Sequence, residues 1–313
     1  MRAIAISAFG ARPELVELPE PTPGPGELLV RLRAAAYNPI DTKIASGAVK
    51  GLQPRFPLVM GQDGAGVVEA VGDEVTAYRP GDEVYGRFAD PARGLGSYAE
   101  YAVVAQDGPV ARTPKGLLPA QAAAVPTASA TACALLDAAG LAEGQTVLIV
   151  GATGGVGQAA AQLAALRRAY VIATAAPDAE ELMRELGANE TVDHTKGDVP
   201  GQVRAAWPDG VDAVFDLVTP SGEVDAMAGV LRPGGVICSV VHALDPDALA
   251  RRGLRGVNVI NRVAPDVLTR LAELIDGGEL RVRVESLVPL ERAPAVLGDI
   301  AASHARGKTV ITI

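Results

Sequence analysis

The chain has 313 residues, of which 49% are hydrophobic and 21% charged, and its formal net charge is −9 at pH 7. This length allows two domains with full-sized cores. The acidic balance gives no electrostatic case for binding nucleic acid or an anionic membrane. Residues 1–10 lack the apolar run of a signal peptide, and no run of about 20 apolar residues occurs. We therefore expect a cytoplasmic protein.

The first 120 residues are rich in glycine, proline and short β segments. Leu28, Val30 and Leu32 fall on one side of a predicted strand. Arg31 and Arg33 point to the other side, as in a half-buried antiparallel strand. Glycines recur regularly between the short strands that follow. This spacing predicts a compact, strongly bent, barrel-like domain.

From about residue 121 the pattern changes to helices alternating with strands. A single buried helix is predicted over residues 119–139. Further helices are predicted over residues 180–186, 222–231 and 265–276, and strands over residues 212–218, 235–241 and 257–260. Such alternation predicts an α/β fold with a doubly wound parallel sheet. Because β character returns from about residue 282, we expect residues 121–281 to form a domain inserted into a first domain of residues 1–120 and 282–313.

The chain is organised around a predicted strand, glycine-rich turn and helix over residues 146–168. The turn reads Ala152, Thr153, Gly154, Gly155, Val156 and Gly157, the spacing of the dinucleotide-binding fingerprint with alanine in the first glycine place. The first N–H groups of such a helix lack partners, and the helix dipole favours negative charge there, so a pyrophosphate fits. We assign these six residues to cofactor binding. A purely structural turn is the alternative.

The strand after the fingerprint helix ends at Thr174, which we also assign to cofactor binding. A carboxylate at this strand end binds an unphosphorylated ribose. Here Ala175, Ala176 and Pro177 follow, and Asp178 is better placed as a helix cap. The missing carboxylate favours NADPH over NADH. No Arg or Lys follows directly to bind the 2′-phosphate, which leaves NADH open.

The chain resembles the medium-chain dehydrogenase/reductase superfamily, and within it the zinc-free, zeta-crystallin-like quinone oxidoreductases. The likeness covers nearly the whole length, and the motifs that carry it are AAAYNPIDTKIASG, GQDGAGVVEAVGDEV, PGDEVYG, GSYAEY, the 152–157 fingerprint, LRPGG and ARGKTVI. It implies a GroES-like catalytic domain, a Rossmann nucleotide domain and an active site in the cleft between them. It also implies a homodimer that pairs sheet edges near residues 257–260.

Two positions depart from the zinc alcohol dehydrogenases that this superfamily also contains. Asn38 stands where those enzymes have a zinc-binding cysteine, and Gln62 stands where they have the histidine of a GHE motif. Residues 85–100, the counterpart of their structural-zinc lobe, contain no cysteine. Cys133 and Cys238 are the only cysteines, and their spacing fits no zinc or redox site. We expect no metal.

Four residues are candidates for the chemistry. Tyr37 is assigned to donate a hydrogen bond or proton to the reduced acceptor, with a core tyrosine as the alternative. The Asn38 amide is assigned to orient a substrate carbonyl, with a turn residue before Pro39 as the alternative. Gln62 lines the pocket or forms a strand hydrogen bond. Thr131 bonds the nicotinamide carboxamide or the substrate, or simply packs.

Further assignments rest on position and on the resemblance. Val218 ends a predicted strand and is assigned to the cofactor. Val241 and His242 end the strand that the resemblance places beneath the nicotinamide. Lys308 has a family counterpart close to the cleft, although a surface lysine is the safer interpretation. Asp41 is expected to be a local cap or ion-pair partner rather than a base.

These observations predict a zinc-independent, NADPH-dependent oxidoreductase that transfers hydride to a quinone or an α,β-unsaturated carbonyl, acting on a small-molecule substrate. Two alternatives stay open at this point. One is an enoyl reductase on a CoA- or carrier-bound intermediate, which needs the same hydride geometry. The other is a weakly catalytic protein that binds NADPH for a structural or regulatory purpose.

Overall fold

A computed structural model describes residues 1–302 and 306–313 of the chain. The strands are β1 (Arg2–Ile6), β2 (Glu14–Glu17), β3 (Glu27–Ala36), β4 (Leu58–Val59), β5 (Asp63–Val71), β6 (Glu83–Arg87), β7 (Tyr101–Ala105), β8 (Val110–Arg112), β9 (Thr146–Val150), β10 (Tyr170–Thr174), β11 (Glu190–Val192), β12 (Val211–Asp216), β13 (Leu231–Ser239), β14 (Arg255–Asn258), β15 (Val284–Pro289) and β16 (Lys308–Thr312). The helices are α1 (Pro39–Ala45), α2 (Pro119–Ala123), α3 (Pro126–Ala139), α4 (Gly155–Leu166), α5 (Glu180–Glu185), α6 (Val199–Ala206), α7 (Val224–Ala228), α8 (Pro246–Arg251), α9 (Pro265–Asp276) and α10 (Ala293–Ala302).

The chain folds into two compact units. Unit 1 comprises Met1–Ala128, Val263–Gly278 and Val282–Ile313, and unit 2 comprises Ser129–Arg262 and Glu279–Arg281. The sequence placed residues 121–128 and 263–278 in the inserted domain instead. Among the described residues no helix is long and apolar enough to cross a membrane.

Helix α9 packs within unit 1 because its backbone and side chains bond there. The buried Tyr85 hydroxyl on β6 donates to the Leu268 carbonyl at 2.6 Å, and the Lys115 N–H donates to Asp276 Oδ1 at 2.7 Å. Both bonds join residues more than 150 positions apart in sequence. Helical periodicity reports only which face of α9 is apolar, so it did not identify the unit against which this face packs.

Unit 1 is built on two sheets. One has the order β2-β1-β4, and the other runs β15-β16-β3-β5-β6-β8, with β7 also paired to β3. The predicted alternation on β3 is confirmed, since Leu28, Val30 and Leu32 are buried and join a core cluster with Val68. Strands β3 and β5 approach so closely that a Cβ on Gly66 would lie 2.2 Å from the Arg31 carbonyl oxygen. Glycine at this position therefore permits the tight pairing.

Unit 2 contains a parallel sheet with the order β11-β10-β9-β12-β13-β14. Chain order reverses direction at β9, as in the doubly wound dinucleotide-binding fold, and the predicted parallel sheet is confirmed. The strand Thr146–Val150 and the helix Pro265–Asp276 have the predicted bounds. The carboxyl ends of β9, β12 and β13 lie side by side, which is where ligands bind in such sheets.

Two predicted helices have different bounds in the structure. The helix over residues 119–139 is two helices, because Pro126 has no N–H to continue the first one and begins the second. The helix over residues 222–231 shortens to α7. Leu231 instead pairs with Val211 and begins β13, within which Gly234 has a φ of +78° at an irregularity in the strand pairing.

Candidate functional site

The glycine-rich turn of unit 2 connects β9 to α4. Gly151 leaves the strand with a φ of +82°, and Gly154 caps the helix that starts at Gly155. The Gly154 N–H donates to Gly151 O at 3.2 Å, and the Gln158 N–H donates to Gly154 O at 2.9 Å. The N–H groups of the first helical turn precede any helical acceptor. A helix start of this kind has the local structure that pyrophosphate-binding turns share.

Two glycines of the turn serve different purposes. A Cβ on Gly157 would lie 2.5 Å from Ala152 Cα, Ala152 O and Gly151 O, so only glycine lets α4 pack on the turn. A Cβ on Gly154 would have only Gly151 O within 4 Å, at 3.5 Å. Nothing within the described chain therefore requires glycine at 154. The space beside it is available to a ligand.

Thr174 supports the turn from the neighbouring strand. Its Oγ1 accepts a hydrogen bond from the Gly151 N–H at 2.9 Å, and the residue is 3% exposed. In the structure the Thr174 hydroxyl fixes the start of the turn, and its assignment to cofactor binding stays a prediction. Sequence position alone did not distinguish these roles, because both place the residue at the end of β10.

Three other assigned residues of unit 2 follow the carboxyl ends of β12 and β13, and the fourth, Thr131, lies on α3. Val218 follows β12 and is 60% exposed, with its side chain beside Gly151. Val241 and His242 follow β13, where His242 is exposed and has a φ of 58°. Thr131, on α3, is 7% exposed, and its Oγ1 accepts a hydrogen bond from Asn261 Nδ2 at 3.0 Å.

Two basic residues near this edge did not figure among the predicted site residues. His194 and Lys196 follow β11, the strand that pairs with β10 through Thr174 and Val192. Both side chains are exposed, and Lys196 Nζ lies 3.5 Å from Asp193 Oδ2. The residues directly after β10 include no Arg or Lys. The end of the next parallel strand was the signal that could have found them.

Unit 1 contains a buried polar network. Its members bond mainly to one another and are buried except for the half-buried Thr127; they are Asn38, Asp41, Asp63, Tyr98, Thr127 and Lys308.

Lys308 is the cation of the polar network. It is 7% exposed, so the expected surface lysine is wrong. Its Nζ donates to Tyr37 O and to Asn38 Oδ1, each at 2.6 Å. The antiparallel pairing of β16 with β3 brings residue 308 to residue 37, a contact that no local pattern indicates. Burial lowers the Lys308 pKa, and the charges of Asp63 and Asp41 oppose that shift.

Asp63 is the fully buried carboxylate of the polar network. Its Oδ1 accepts from Thr127 Oγ1 at 2.7 Å, and its Oδ2 accepts from the Thr127 N–H at 2.9 Å and Asn38 Nδ2 at 3.0 Å. Burial raises the Asp63 pKa, while the Lys308 charge and these hydrogen bonds act against the rise. Asp63 thus has the donors and the counter-charge that a buried carboxylate needs.

Asn38 uses its amide within unit 1. Its Nδ2 donates to Asp63 and, at 3.4 Å, to Ala36 O, while its Oδ1 accepts from Lys308. Both ends of the amide thus have protein partners, and the residue is 3% exposed. The assignment of this amide to a substrate carbonyl has no geometric support here. Asn38 instead links Lys308 to Asp63.

Asp41 caps the start of α1, as expected. Its Oδ2 accepts from the Asn38 N–H and from the Tyr98 hydroxyl, both at 2.9 Å. Its Oδ1 is buried and has no partner within the described part of the chain. Burial raises the Asp41 pKa to about 7, against the effect of the Asn38 and Tyr98 hydrogen bonds. Asp41 therefore changes its protonation near neutral pH.

A small cavity of about 20 Å³ adjoins Asp41 and Gln62. Gln62 is 5% exposed, and its backbone carbonyl accepts from the Phe88 N–H at 2.7 Å. The side-chain amide of Gln62 forms no hydrogen bond among residues 1–302 and 306–313. The backbone of Gln62 thus bonds a neighbouring residue, and its side chain lines a cavity about the size of one water molecule.

Tyr37 has a hydroxyl that remains protonated at neutral pH. It lies 3.1 Å from Thr42 Oγ1, and the residue is 8% exposed. Burial raises the Tyr37 pKa, and the Thr42 hydrogen bond acts against the rise. The hydroxyl can therefore donate a hydrogen bond or a proton to a developing oxyanion.

The donor set of unit 1 does not fit a zinc ion. Zinc takes about three or four N, S or O ligands at 2.0–2.3 Å. Across residues 1–302 and 306–313, no group of three or more His, Cys, Asp or Glu side chains could hold a metal ion. Asn38 and Gln62 have amide side chains, and Asn38 Oδ1 already accepts a hydrogen bond from the Lys308 ammonium.

Comparison with known proteins identifies the family of the chain. The family described as "Alcohol dehydrogenase GroES-like domain" matches residues 24–115, and the family described as "Zinc-binding dehydrogenase" matches residues 186–311. The Arabidopsis thaliana NADPH-dependent alkenal/one oxidoreductase is 34% identical over 91% of this chain and 72% of its own length. The Triphysaria versicolor quinone-oxidoreductase QR1 is 31% identical over 99% and 98%.

A solved structure gives the same result for the fold. The quinone oxidoreductase from Coxiella burnetii is 29% identical and superposes with a TM-score of 0.90 over 100% of this chain and 99% of its own. The chain therefore belongs to the medium-chain dehydrogenase/reductase superfamily and is an NAD(P)H-dependent oxidoreductase of the quinone oxidoreductase type.

Proposed function

We propose that the chain reduces a quinone or an α,β-unsaturated carbonyl with NADPH and without a metal ion. The observation that carries this proposal is the donor set of unit 1, which offers a tyrosine hydroxyl, an amide and an ammonium where a zinc enzyme needs metal ligands. Alcohol oxidation without a Lewis acid forgoes metal stabilisation of the alkoxide. An activated acceptor requires less, because its own conjugation spreads the charge that hydride addition creates.

The bound cofactor supplies the hydride. The protein's task is then to hold the acceptor, exclude water and stabilise the developing oxyanion. In our proposal the Tyr37 hydroxyl donates to that oxyanion, and the unbonded amide of Gln62 is a second donor. The first N–H groups of α4 and the space beside Gly154 take the pyrophosphate.

NADPH is preferred over NADH in this proposal for two reasons. No carboxylate follows Thr174 to bind a free ribose hydroxyl, and a carboxylate there would repel a 2′-phosphate. Lys196 follows the paired strand β11 and can supply positive charge to the phosphate. The alkenal/one oxidoreductase named above is NADPH-dependent, which is consistent with this preference.

The test is a steady-state assay with EDTA present. We would follow the loss of reduced-nicotinamide absorbance with 1,4-benzoquinone and with a simple enone, using NADPH and NADH separately. We expect turnover in EDTA and a higher kcat/KM with NADPH. Loss of activity on chelation that zinc restores would overturn the metal-free mechanism. Tight NADPH binding with turnover of only a CoA-linked enoyl substrate would assign the chain to the enoyl reductases.

We also propose that the protein is a homodimer joined through β14, the edge strand of the unit 2 sheet. Ile260, just beyond this strand, is 78% exposed, which is unusual for a large apolar residue. We expect Ile260→Lys to convert a dimer into a monomer in sedimentation velocity. Leu118→Lys, at another exposed position, is the control and leaves the dimer intact. A monomeric native chain would refute this.

A cytoplasmic location stays a prediction, since both plant relatives are chloroplastic.

A further inference from the structure

We propose that Lys308 is a positioning residue. Its buried ammonium holds Tyr37 and Asn38 in place, as a bound metal ion holds its ligands in a zinc enzyme. The proposal rests on the metal-free function given above. It starts from a disagreement, since the family description implies zinc but the residues here do not fit it. A cation nevertheless contacts Asn38, and it is the side-chain ammonium of Lys308.

Lys308 and its neighbour hold the Tyr37–Asn38 segment at three points. The ammonium donates to the Tyr37 carbonyl and to Asn38 Oδ1, each at 2.6 Å. The Tyr37 N–H donates to the Thr309 carbonyl at 3.0 Å. Two consecutive residues are thereby fixed to β16 through backbone and side chain. The backbone from which the Tyr37 side chain extends cannot shift without breaking a charge-assisted bond.

Charge complementarity supports the same role. Lys308 faces Asp63 and Asp41 in the polar network, and Tyr37 and Tyr98 are the other titratable groups nearby. Asp63 is fully buried and bonded through Asn38 to the ammonium. Without that ammonium the site would hold one or two buried carboxylates and no positive charge, which is costly. The cation thus organises the polar network as well as the segment that carries Tyr37.

The chain offers a matched pair of variants. Lys308→Met removes the charge and the donors but keeps the length of the side chain. Lys43→Met makes the same change at an exposed position on α1 and serves as the control. We expect Lys308→Met to lower kcat about 10- to 100-fold, because a small displacement of a donor is enough for a loss of this size. KM for NADPH should stay within about twofold, since the cofactor turn lies in unit 2 and keeps its contacts. Lys43→Met should match the native chain.

A second readout does not depend on activity. In Lys308→Met, Asp63 loses its counter-charge, so its pKa in the folded state rises further above the unfolded value. The folded state then binds more protons than the unfolded state, and stability falls as pH rises. We expect the urea midpoint of Lys308→Met to fall more between pH 5 and pH 8 than that of the native chain or of Lys43→Met. Equal pH dependence in all three would overturn the proposal.

Chemical rescue separates a cation role from simple packing. Lys308→Ala leaves a cavity with the shape of the missing side chain. Propylammonium at about 50–100 mM should bind there, with a Kd in roughly the millimolar range, and restore part of the lost urea midpoint. We expect it to raise the kcat of the variant by about threefold or more. Tetramethylammonium at the same ionic strength has no N–H donors and should restore neither. Equal rescue by both salts, or by neither, would overturn the proposal. A native chain that is inactive in EDTA would refute the proposed function but not the role of Lys308. The pH dependence of the urea midpoint and its rescue by propylammonium would still test that role.

Discussion

Gly154 and Gly157 provide the sharpest test of the nucleotide turn, because alanine should act differently at the two positions. At residue 157 the new Cβ would lie 2.5 Å from three backbone atoms, whereas real Cβ contacts are essentially never below 3.0 Å. The turn and the helix must therefore separate by at least about half an ångström. At residue 154 the nearest atom is 3.5 Å away, and the backbone, with φ −75° and ψ 171°, suits alanine.

The expected energies follow from these distances. Overpacking of this kind costs about 1–3 kcal/mol, and the better helix propensity of alanine offsets up to about 1 kcal/mol. We therefore expect Gly157→Ala to lower the free energy of unfolding by about 1–2 kcal/mol. Gly154→Ala should change it by about 0.5 kcal/mol or less, since a slightly weaker cap is balanced by a less flexible unfolded chain.

The two variants should rank differently in NADPH affinity than in stability. A methyl group at residue 154 enters the space assigned to the pyrophosphate, so we expect Gly154→Ala to raise the Kd for NADPH about tenfold or more, which is about 1.4 kcal/mol. Urea unfolding measures stability, and quenching of intrinsic fluorescence by NADPH measures affinity. Unchanged NADPH affinity in Gly154→Ala would refute the assignment of the turn. Unchanged stability in Gly157→Ala would refute the packing argument.

Three further predictions concern single hydrogen bonds and one titration. The pKa of Asp41 is 3.8 when unfolded and about 7 when folded, so its stabilising contribution is present below about pH 4 and is lost as pH rises towards 7. Asp41→Asn should remove this pH dependence, which amounts to a few kcal/mol at about 1.4 kcal/mol per pKa unit. The measurement is the urea midpoint between pH 4 and pH 8, and a variant whose midpoint changes with pH as much as that of the native chain would contradict the prediction. Tyr85→Phe should cost about 1–2 kcal/mol by leaving the Leu268 carbonyl without its 2.6 Å donor, and calorimetry with no decrease in Tm would count against the assignment of α9 to unit 1. Thr174→Val should leave the Gly151 N–H unbonded and cost about 1–3 kcal/mol, with weaker NADPH binding as a consequence, whereas Thr174→Ser should behave like the native chain.

The cofactor half of the molecule was largely predictable from its sequence, because the signals there are local. A strand, a glycine-spaced turn and a helix follow one another within residues 146–168, and each element is set by neighbours a few positions away. The alternation of strands with helices likewise required the parallel sheet.

The polar network of unit 1 was decided only by the tertiary structure. Lys308 lies 270 positions from Asn38, and its burial depends on the pairing of β16 with β3. A lone lysine near the end of the chain is by itself typical of the surface, since burying a charge without partners is unfavourable. The sequence predicted that Asn38 and Gln62 stand where zinc enzymes have metal ligands. The tertiary structure supplied the ammonium that bonds one of them, because only folding brings distant strands within hydrogen-bond distance.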